Sequence, residues 1–235
     1  MKILCTICIR SGSTSVKNKN IKKINNKPLV FYTIDQAKKS ELFEDIVIST
    51  DSIKFQKITS KFGIKNFFLR PKKLASSKSP KIPVIRHCLQ QAERYYKKKY
   101  DAIIDLDATS PLRLVDDIRL AYRKFLKTKS DILFSVNESK VNPYFNSVEL
   151  RKNKSIRPVK TLGYKIKRRQ DAPKVYDLNA SIYIWNRSTL LKSDSLFVKK
   201  NSIYIMPEER GKEIDTPLDF KIINFIMKNG LYKKI

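Results

Sequence analysis

Short runs of apolar residues alternate along this chain with longer segments in which apolar residues recur every three or four positions. An unbroken apolar run predicts a buried strand, whereas the longer spacing predicts an amphipathic helix. The predicted strands are 2–10, 45–50, 67–69, 102–106, 132–136, 178–185 and 202–206, and the predicted helices are 29–39, 53–62, 83–97, 116–126 and 217–228. This order predicts an α/β fold with a doubly wound, mainly parallel sheet.

The alternation breaks between residues 139 and 174, where the chain is polar, basic and without helical periodicity. Such a segment is typical of hairpins or extended chain that leave the sheet. We therefore expect one α/β domain, formed by 1–138 and 175–235, with 139–174 as a small inserted arm.

Four polar clusters follow predicted strands or precede the last predicted helix. They are 10–20, Thr50-Asp51, 107–113 and 213–219. Because ligands of open α/β sheets bind beyond the carboxyl ends of the strands, the four clusters predict one composite site.

The first cluster reads Arg10-Ser11-Gly12-Ser13 and continues to Lys19-Asn20. Small residues let backbone N–H groups approach a phosphate, and the cations offset its charge. The cluster lacks the glycines of a Walker loop or a dinucleotide fingerprint. Spacing alone leaves two interpretations open, a phosphate-binding loop and an ordinary basic loop.

The chain has 235 residues, with 50 Lys and Arg against 22 Asp and Glu, and a formal net charge of +28. A charge of this size suits polyanionic partners, including nucleic acid. The basic residues are spread along the chain, however, and Asp51, Asp107, Glu213 and Asp215 are expected at one sheet edge. We therefore interpret most of the charge as general surface composition and do not expect nucleic-acid binding.

Other compositional features exclude several classes of protein. No apolar run reaches the length of about 18 residues that a membrane span needs, and the first ten residues indicate a strand rather than a signal peptide. We expect a cytoplasmic protein without membrane contact.

Cys5 and Cys8 share a predicted strand and face opposite sides of it. His87 is the single histidine of the chain and cannot complete a metal site or a catalytic triad. The thiols are therefore interpreted as structural.

Motifs in sequence order resemble those of the acylneuraminate cytidylyltransferases, the CMP-sialic acid synthetases, including enzymes of the legionaminic and pseudaminic type. The resemblance covers nearly the whole chain. Its motifs are Arg10-Ser11-Gly12-Ser13, Lys19-Asn20-Ile21, Lys27-Pro28-Leu29, Ser49-Thr50-Asp51-Ser52, Arg70-Pro71, Leu74-Ala75, Thr109-Ser110-Pro111-Leu112-Arg113, Arg169-Gln170-Asp171, Ile214-Asp215-Thr216 and Asp219-Phe220.

The resemblance implies a Rossmann-type fold like that of nucleotide-diphospho-sugar transferases. It also implies a reaction in which CTP and a nonulosonic acid, a sialic-acid-like sugar, give a CMP-sugar and pyrophosphate with Mg²⁺ as cofactor. The arm is then expected to make a dimer contact, with a homodimer as the expected state and a tetramer as the alternative. A related enzyme such as CMP-Kdo synthetase is the alternative function.

The resemblance also assigns residues. Catalysis falls to Arg10, Lys19 and Asp215. Nucleotide binding falls to Arg10, Ser11, Gly12, Ser13, Lys19, Asn20, Arg70 and Ser79, and sugar binding to Asp107, Arg168, Arg169, Gln170, Tyr176 and Asn179. The metal pair is Glu213 and Asp215, whose side chains can face one way in extended chain. Without the resemblance, this pair would be interpreted as the cap of the last helix.

The chain departs from the family motifs at several places, one of which is Ser76-Ser77 in place of an acidic residue that is common after Leu-Ala. Asp107 replaces a glutamine that faces the sugar, Thr14 a lysine, Ala180 a glycine and Glu213 an aspartate. An aspartate at 107 could change sugar choice or repel the substrate carboxylate. Both sialic acid and a legionaminic-like acid therefore stay open as substrates.

Overall fold

The computed structural model of the chain describes residues 1–13, 15–164 and 166–231. Thr14, which the sequence comparison singled out, lies outside the described residues, as do Lys165 and 232–235. The strands are β1 Ile3–Cys8, β2 Lys23–Ile24, β3 Lys27–Pro28, β4 Asp45–Ser49, β5 Ala102–Leu106, β6 Ile132–Glu138, β7 Val148–Leu150, β8 Ile156–Pro158, β9 Tyr176–Asn186 and β10 Asn201–Ile205. The α-helices are α1 Leu29–Ser40, α2 Ile53–Ser60, α3 Lys81–Tyr96, α4 Val115–Thr128, α5 Arg187–Lys192 and α6 Pro217–Lys228.

Six strands form the central sheet, in the order β10-β6-β9-β5-β1-β4. β1 pairs in parallel with β4 and β5, and β10 pairs in parallel with β6. β9 runs antiparallel to both of its neighbours, β5 and β6. The predicted mainly parallel α/β sheet is confirmed, and the chain leaves β1 toward β4 first and returns to β5 on the other side.

Helices cover both faces of the sheet. On one face α1, α2 and α4 bury residues such as Ile34, Phe55 and Phe125 against the sheet. On the other face α3 and α5 bury residues such as Ile85, Leu89 and Leu190. This three-layer arrangement is the doubly wound fold that the sequence predicted, and it makes strands apolar on both sides.

Cys5 and Cys8 confirm their predicted places on β1. Cys5 packs into the core on one face and Cys8 against the core on the other. Burial raises the pKa of both thiols well above the ordinary value. A protonated, enclosed thiol is a poor nucleophile and a poor metal ligand, in agreement with structural cysteines.

The prediction of a strand at 67–69 is wrong. The segment is extended but belongs to no sheet. Two hydrogen bonds hold it in place: the Gln56 side chain donates to the Phe68 carbonyl, and the Arg70 amide donates to the Thr50 carbonyl. Phe67 packs instead on Tyr95, with the rings stacked at 4.1 Å between centroids. Aromatic side chains produced the strand-like pattern, but they fill the gap beside α3.

The chain between β6 and β9 leaves the sheet, as the sequence indicated for the arm. It carries the β7–β8 hairpin and a 3-10 turn at Arg169–Asp171. Among the helices of the described residues, none is long and apolar enough to span a membrane.

β9 has an irregularity where it passes the site. The register with β6 shifts between Phe134 and Val136, and Ala180 lies opposite this shift with φ of +47°. That left-handed conformation favours glycine, so replacing the family's glycine by Ala180 leaves local backbone strain in place.

Arg113 joins the β5–α4 loop to its neighbours and is fully buried. Its guanidinium donates to the carbonyl of Ser181 on β9 at 2.6 Å, and to Thr33 and Gln36 of α1 at 3.2 and 3.0 Å. Gln36 in turn donates to the Pro111 and Arg113 carbonyls of the loop. Burial lowers the pKa of Arg113 to about 10, which still leaves it charged at neutral pH.

We predict that Arg113→Met lowers the free energy of unfolding by about 3–5 kcal/mol, because several buried acceptors lose their donor at once. Urea unfolding followed by circular dichroism measures the change. Arg123→Met on the exposed side of α4 is the matched control and should shift stability by less than about 0.5 kcal/mol. Equal losses in the two variants would contradict the role given to Arg113, and Arg113→Lys serves where the methionine variant does not fold.

Candidate active site

A cleft of about 360 Å³ opens at the carboxyl ends of β1, β4 and β5. Its size falls within the range of small-molecule sites. Four cations and three carboxylates line it, together with several serine hydroxyls. The charged residues are Arg10, Lys19, Arg70, Lys81, Asp107, Glu213 and Asp215. Three of the four polar clusters predicted from the sequence therefore line one cleft. The fourth, Thr50-Asp51, joins them through the hydrogen bonds between Ser11 and Asp51.

Ser11 is held by Asp51, which follows β4. Its amide donates to Asp51 Oδ1 at 2.8 Å and its hydroxyl to Asp51 Oδ2 at 2.6 Å. Burial alone would raise the pKa of Asp51, but these hydrogen bonds hold it below the ordinary value. These two hydrogen bonds fix the position of Ser11 in the loop and use both its amide N–H and its hydroxyl donor.

The rest of the first loop faces the cleft more openly. The Ser13 amide donates to the Ser11 carbonyl at 3.0 Å, while Ser13 itself lines the cleft. A Cβ added at Gly12 would meet no atom within 4 Å. The loop therefore has room beside Gly12 for a phosphate to approach the backbone.

Arg10 connects this loop to the segment before α3. Its Nη1 donates to the Ser76 carbonyl at 2.7 Å. The Ser79 hydroxyl accepts from the Ser76 amide and donates to the Lys73 carbonyl. Arg10 and Ser79, both predicted to bind the nucleotide, thus lie on the same rim of the cleft.

Arg70 and Asn20 are buried beneath the cleft. Arg70 donates through Nε to the Ser49 hydroxyl at 3.0 Å and through Nη2 to the Ser49 carbonyl at 2.5 Å. Asn20 donates to the Arg10 carbonyl at 3.1 Å. Both residues line the cleft while fixing the ends of β1 and β4, so they position the loop that carries Arg10.

The segment before α6 supplies the carboxylates. Lys19 donates to the Ile214 carbonyl and pairs with Asp215 at 3.1 Å between Nζ and Oδ1. The cap of α6 is Thr216, whose hydroxyl accepts from the Asp219 amide. The alternative that Glu213 and Asp215 cap this helix is therefore wrong, and both carboxylates line the cleft instead.

Glu213 stands where other negative charges surround it. Burial, followed by the charges of Asp107 and Asp215, raises the pKa of Glu213 to about 8. Crowded oxygen donors of this kind fit a divalent cation, which Mg²⁺ would meet with few protein ligands and several water or phosphate oxygens. Within residues 1–13, 15–164 and 166–231, no group of three or more His, Cys, Asp or Glu has the geometry to hold a metal ion, so the pair would need substrate oxygens to complete a site.

Asp107 does not present a bare carboxylate. Its Oδ2 lies 3.0 Å from Lys81 Nζ, and its Oδ1 accepts from the amide and hydroxyl of Thr109. Burial would raise the pKa of Asp107, but Lys81 and Thr109 lower it to about 2. The residue is thus ionised and paired at neutral pH.

The other predicted sugar-binding residues lie elsewhere. Arg169 and Gln170 line a second cleft with Glu138 and Asn142, and Arg168 pairs with Asp171. The structure does not bring Arg168, Arg169 or Gln170 into the main cleft of the same chain.

Asn179 and Tyr176 lie on β9. Asn179 is buried, accepts from the Ser135 hydroxyl at 2.6 Å and donates to Asn137 at 2.8 Å. It also lines a smaller cleft that shares Glu213 with the main one. Tyr176 begins the strand and packs against the core on the α3 face. Whether these residues contact a sugar stays a prediction.

Sequence reasoning gave no role to three residues that shape the site, namely Lys81, Asp51 and Arg113. Asp51 and Arg113 fall inside motifs that the sequence analysis quoted, so their positions carried a signal. Lys81 had none, because one lysine at the start of a helix is unremarkable in a chain with this many cations.

The chain is similar to known proteins over most of its length. The model of the cytidylyltransferase family matches residues 4–225. The post-translational flagellin modification protein B of Campylobacter coli is 47% identical over 227 residues, which cover 97% of this chain and 95% of the relative. The CMP-N,N'-diacetyllegionaminic acid synthase of Campylobacter jejuni is 45% identical over 226 residues, covering 96% of this chain and 95% of that protein.

A solved structure supports the fold alone. CMP:2-keto-3-deoxy-manno-octonic acid synthetase in complex with CTP superposes with a TM-score of 0.73, covering 98% of this chain and 100% of that one at 14% identity. The family match spans most of the chain and the two relatives span nearly all of it, so the chain belongs to the cytidylyltransferase family and is an enzyme, as its motifs predicted.

Proposed function

We propose that this enzyme transfers CMP from CTP to the anomeric hydroxyl of a nonulosonic acid and releases pyrophosphate. The observation that carries the proposal is the lining of the main cleft, where four cations and two carboxylates of one segment, Glu213 and Asp215, face the same space. This lining suits a metal-bound triphosphate. Nucleotidyl transfer depends chiefly on positioning and charge neutralisation. The attacking group is the hydroxyl of the acid, so the reaction needs no nucleophilic side chain of the enzyme.

Arg10 and Lys19 are the proposed cations for the triphosphate. Both line the cleft, and the Gly12 backbone between them leaves open space for a phosphate. Lys19 is paired with Asp215 at 3.1 Å, so its charge is held at the boundary between the proposed phosphate and metal positions. Arg70, Asn20 and Ser79 would bind the nucleotide from below and from the rim.

Glu213 and Asp215 are the proposed ligands of Mg²⁺. Bound there, the ion would neutralise negative charge on the departing pyrophosphate. The crowding of Asp107, Glu213 and Asp215 supports a cation at this position, because like charges held together favour one.

The relatives support an acid of the legionaminic class. The protein of Campylobacter jejuni that is 45% identical is named a CMP-N,N'-diacetyllegionaminic acid synthase. The alternative of a CMP-Kdo synthetase has weaker support, since that structure is 14% identical to this chain. We therefore favour a legionaminic-like acid over both Kdo and ordinary sialic acid.

We also propose that the enzyme acts as a homodimer through its arm. Val148, Leu150 and Ile156 are 62%, 72% and 69% exposed. Leu150 pairs with Ile156 and Val148 with Pro158, whereas Glu149 pairs with Arg157 between them. Because side chains alternate along strands, the apolar residues share one face of the hairpin and the ion pair lies on the other.

A two-stranded hairpin gains little stability by itself and needs a surface to cover its apolar face. A second copy of the chain is the occupant that we propose. The same arm carries Arg168, Arg169 and Gln170, which lie outside the nucleotide cleft of their own chain. A dimer would let these residues serve the sugar side of the neighbouring subunit's cleft.

The function predicts pyrophosphate release when the enzyme meets CTP, Mg²⁺ and a suitable acid. A coupled pyrophosphate assay should show turnover that is fastest with a legionaminic-type acid, slower with sialic acid and slowest with Kdo. EDTA should abolish the signal and added Mg²⁺ should restore it. No turnover with any acid, together with no CTP-dependent thermal shift, would contradict the proposed function.

Asp215→Asn should lower kcat at least about a hundredfold while leaving the fold intact, because the metal pair loses one of its charges. The same pyrophosphate assay measures kcat, and thermal melting checks the fold. Asp35→Asn, which removes a surface partner of Lys39, is the matched control and should leave kcat unchanged. Comparable kcat values in the two variants would overturn the metal assignment.

Leu150→Lys should convert the dimer to a monomer, because the charge would be buried against the second copy. Light scattering after size exclusion measures the mass. Ile53→Lys, at an apolar residue of α2 that is 60% exposed, is the control and should leave the mass of the dimer unchanged. A Leu150→Lys protein that is still dimeric would rule out the hairpin as the contact.

A further inference from the structure

Lys81 begins α3 and reaches into the floor of the cleft. Its Nζ lies 3.2 Å from Asp105 Oδ2 and 3.0 Å from Asp107 Oδ2. The ammonium also stands 4.6 Å from the centroid of the Tyr183 ring. The side chain is 31% exposed, so Lys81 is pinned by its neighbours and still open to the cleft.

The two carboxylates differ in how much they depend on Lys81. Asp105 is fully buried, and Thr6 donates to its Oδ1 at 2.7 Å. Its Oδ2 accepts no hydrogen bond, so the charge of Lys81 is what compensates it. Asp107 has Thr109 as a further donor and faces the cleft. Lys81 therefore serves a structural carboxylate and a cleft carboxylate at once.

Without a positive partner, the carboxylate of Asp107 would weaken the binding of an anionic substrate. Both proposed substrates are anions, and a second carboxylate brought beside an uncompensated one costs several kcal/mol. Lys81 places a positive charge 3.0 Å from Asp107 Oδ2, where Asp107 borders the cleft, and so weakens that repulsion. The carboxylate of Asp107 has about four acceptor positions, of which Lys81 and Thr109 occupy three. One acceptor stays available for a hydroxyl or amide N–H of a ligand.

We propose that Lys81 is a specificity-determining residue that acts through Asp107. By pairing with Asp107, it lets this position accept a hydrogen bond from the sugar without repelling the carboxylate of the acid. The inference rests on the proposed function, since it concerns the acid that the enzyme takes.

A double-mutant cycle tests the coupling in the full-length enzyme. Lys81→Gln alone should raise KM for the acid about tenfold and change kcat less, because Asp107 then repels the acid. Adding Asp107→Asn should return KM to within about threefold of the wild-type value, since the repulsion is gone. Lys81→Arg keeps the charge and should stay near wild type.

Salt provides a readout that a purely structural role would not move. Raising KCl from about 0.1 M to about 1 M shortens the screening length from about 10 Å to about 3 Å. The excess KM of Lys81→Gln over wild type should therefore shrink. The matched control is the surface pair Lys39 and Asp35, 2.7 Å apart, whose single and double variants should leave the KM for the acid unchanged.

The outcomes separate the two proposals. Two results would overturn the role of Lys81 while wild-type turnover keeps the function intact. One is a KM for the acid that Lys81→Gln leaves unchanged. The other is a raised KM that Asp107→Asn does not restore in the double variant. If Lys81→Gln does not fold, the same cycle is run with Asp105→Asn present in every variant, so that no buried carboxylate is left without a compensating charge. No wild-type turnover with any acid overturns the function, and the inference falls with it.

Discussion

The position of the loop that carries Asp107 depends on one fully buried cation, Arg113. Its guanidinium ties the β5–α4 loop to α1 through Thr33 and Gln36 and to β9 through Ser181. A planar fork of donors can hold several acceptors in fixed directions, which an ammonium cannot do. The loop that carries Asp107 therefore has a defined position before any ligand arrives.

The site has to bind two anions and a metal ion, although its own charged side chains attract one another. In the structure these side chains form pairs, Lys19 with Asp215 and Lys81 with Asp107. Each pair presents both signs of charge at fixed positions, so little reorganisation is needed when substrates bind. Most of the +28 charge is not part of this arrangement. It can raise the rate of substrate capture through the general field of the protein.

Local patterns predicted the sheet and most helices because burial on both faces makes parallel strands apolar throughout. They could not predict that β9 runs antiparallel, since direction depends on the path of the arm before it. The false strand at 67–69 arose because packing against α3 selects the same aromatic residues as a sheet. Several residues that the motifs named line the main cleft. The hydrogen bond from Ser11 to Asp51, however, is a contact that only the fold reveals.

Lys81 shows what a motif comparison cannot supply. Two departures from the family pattern, Asp107 and Ala180, are separated by many residues in sequence, and neither points to the other. In the structure both contact Lys81, at 3.0 Å from Asp107 Oδ2 and 3.4 Å from the Ala180 carbonyl. Ala180 keeps a left-handed backbone that disfavours alanine, and that backbone aims its carbonyl at the ammonium. One ammonium thus joins the two departures, because it pairs with the partly buried carboxylate of Asp107 and donates to the carbonyl of Ala180.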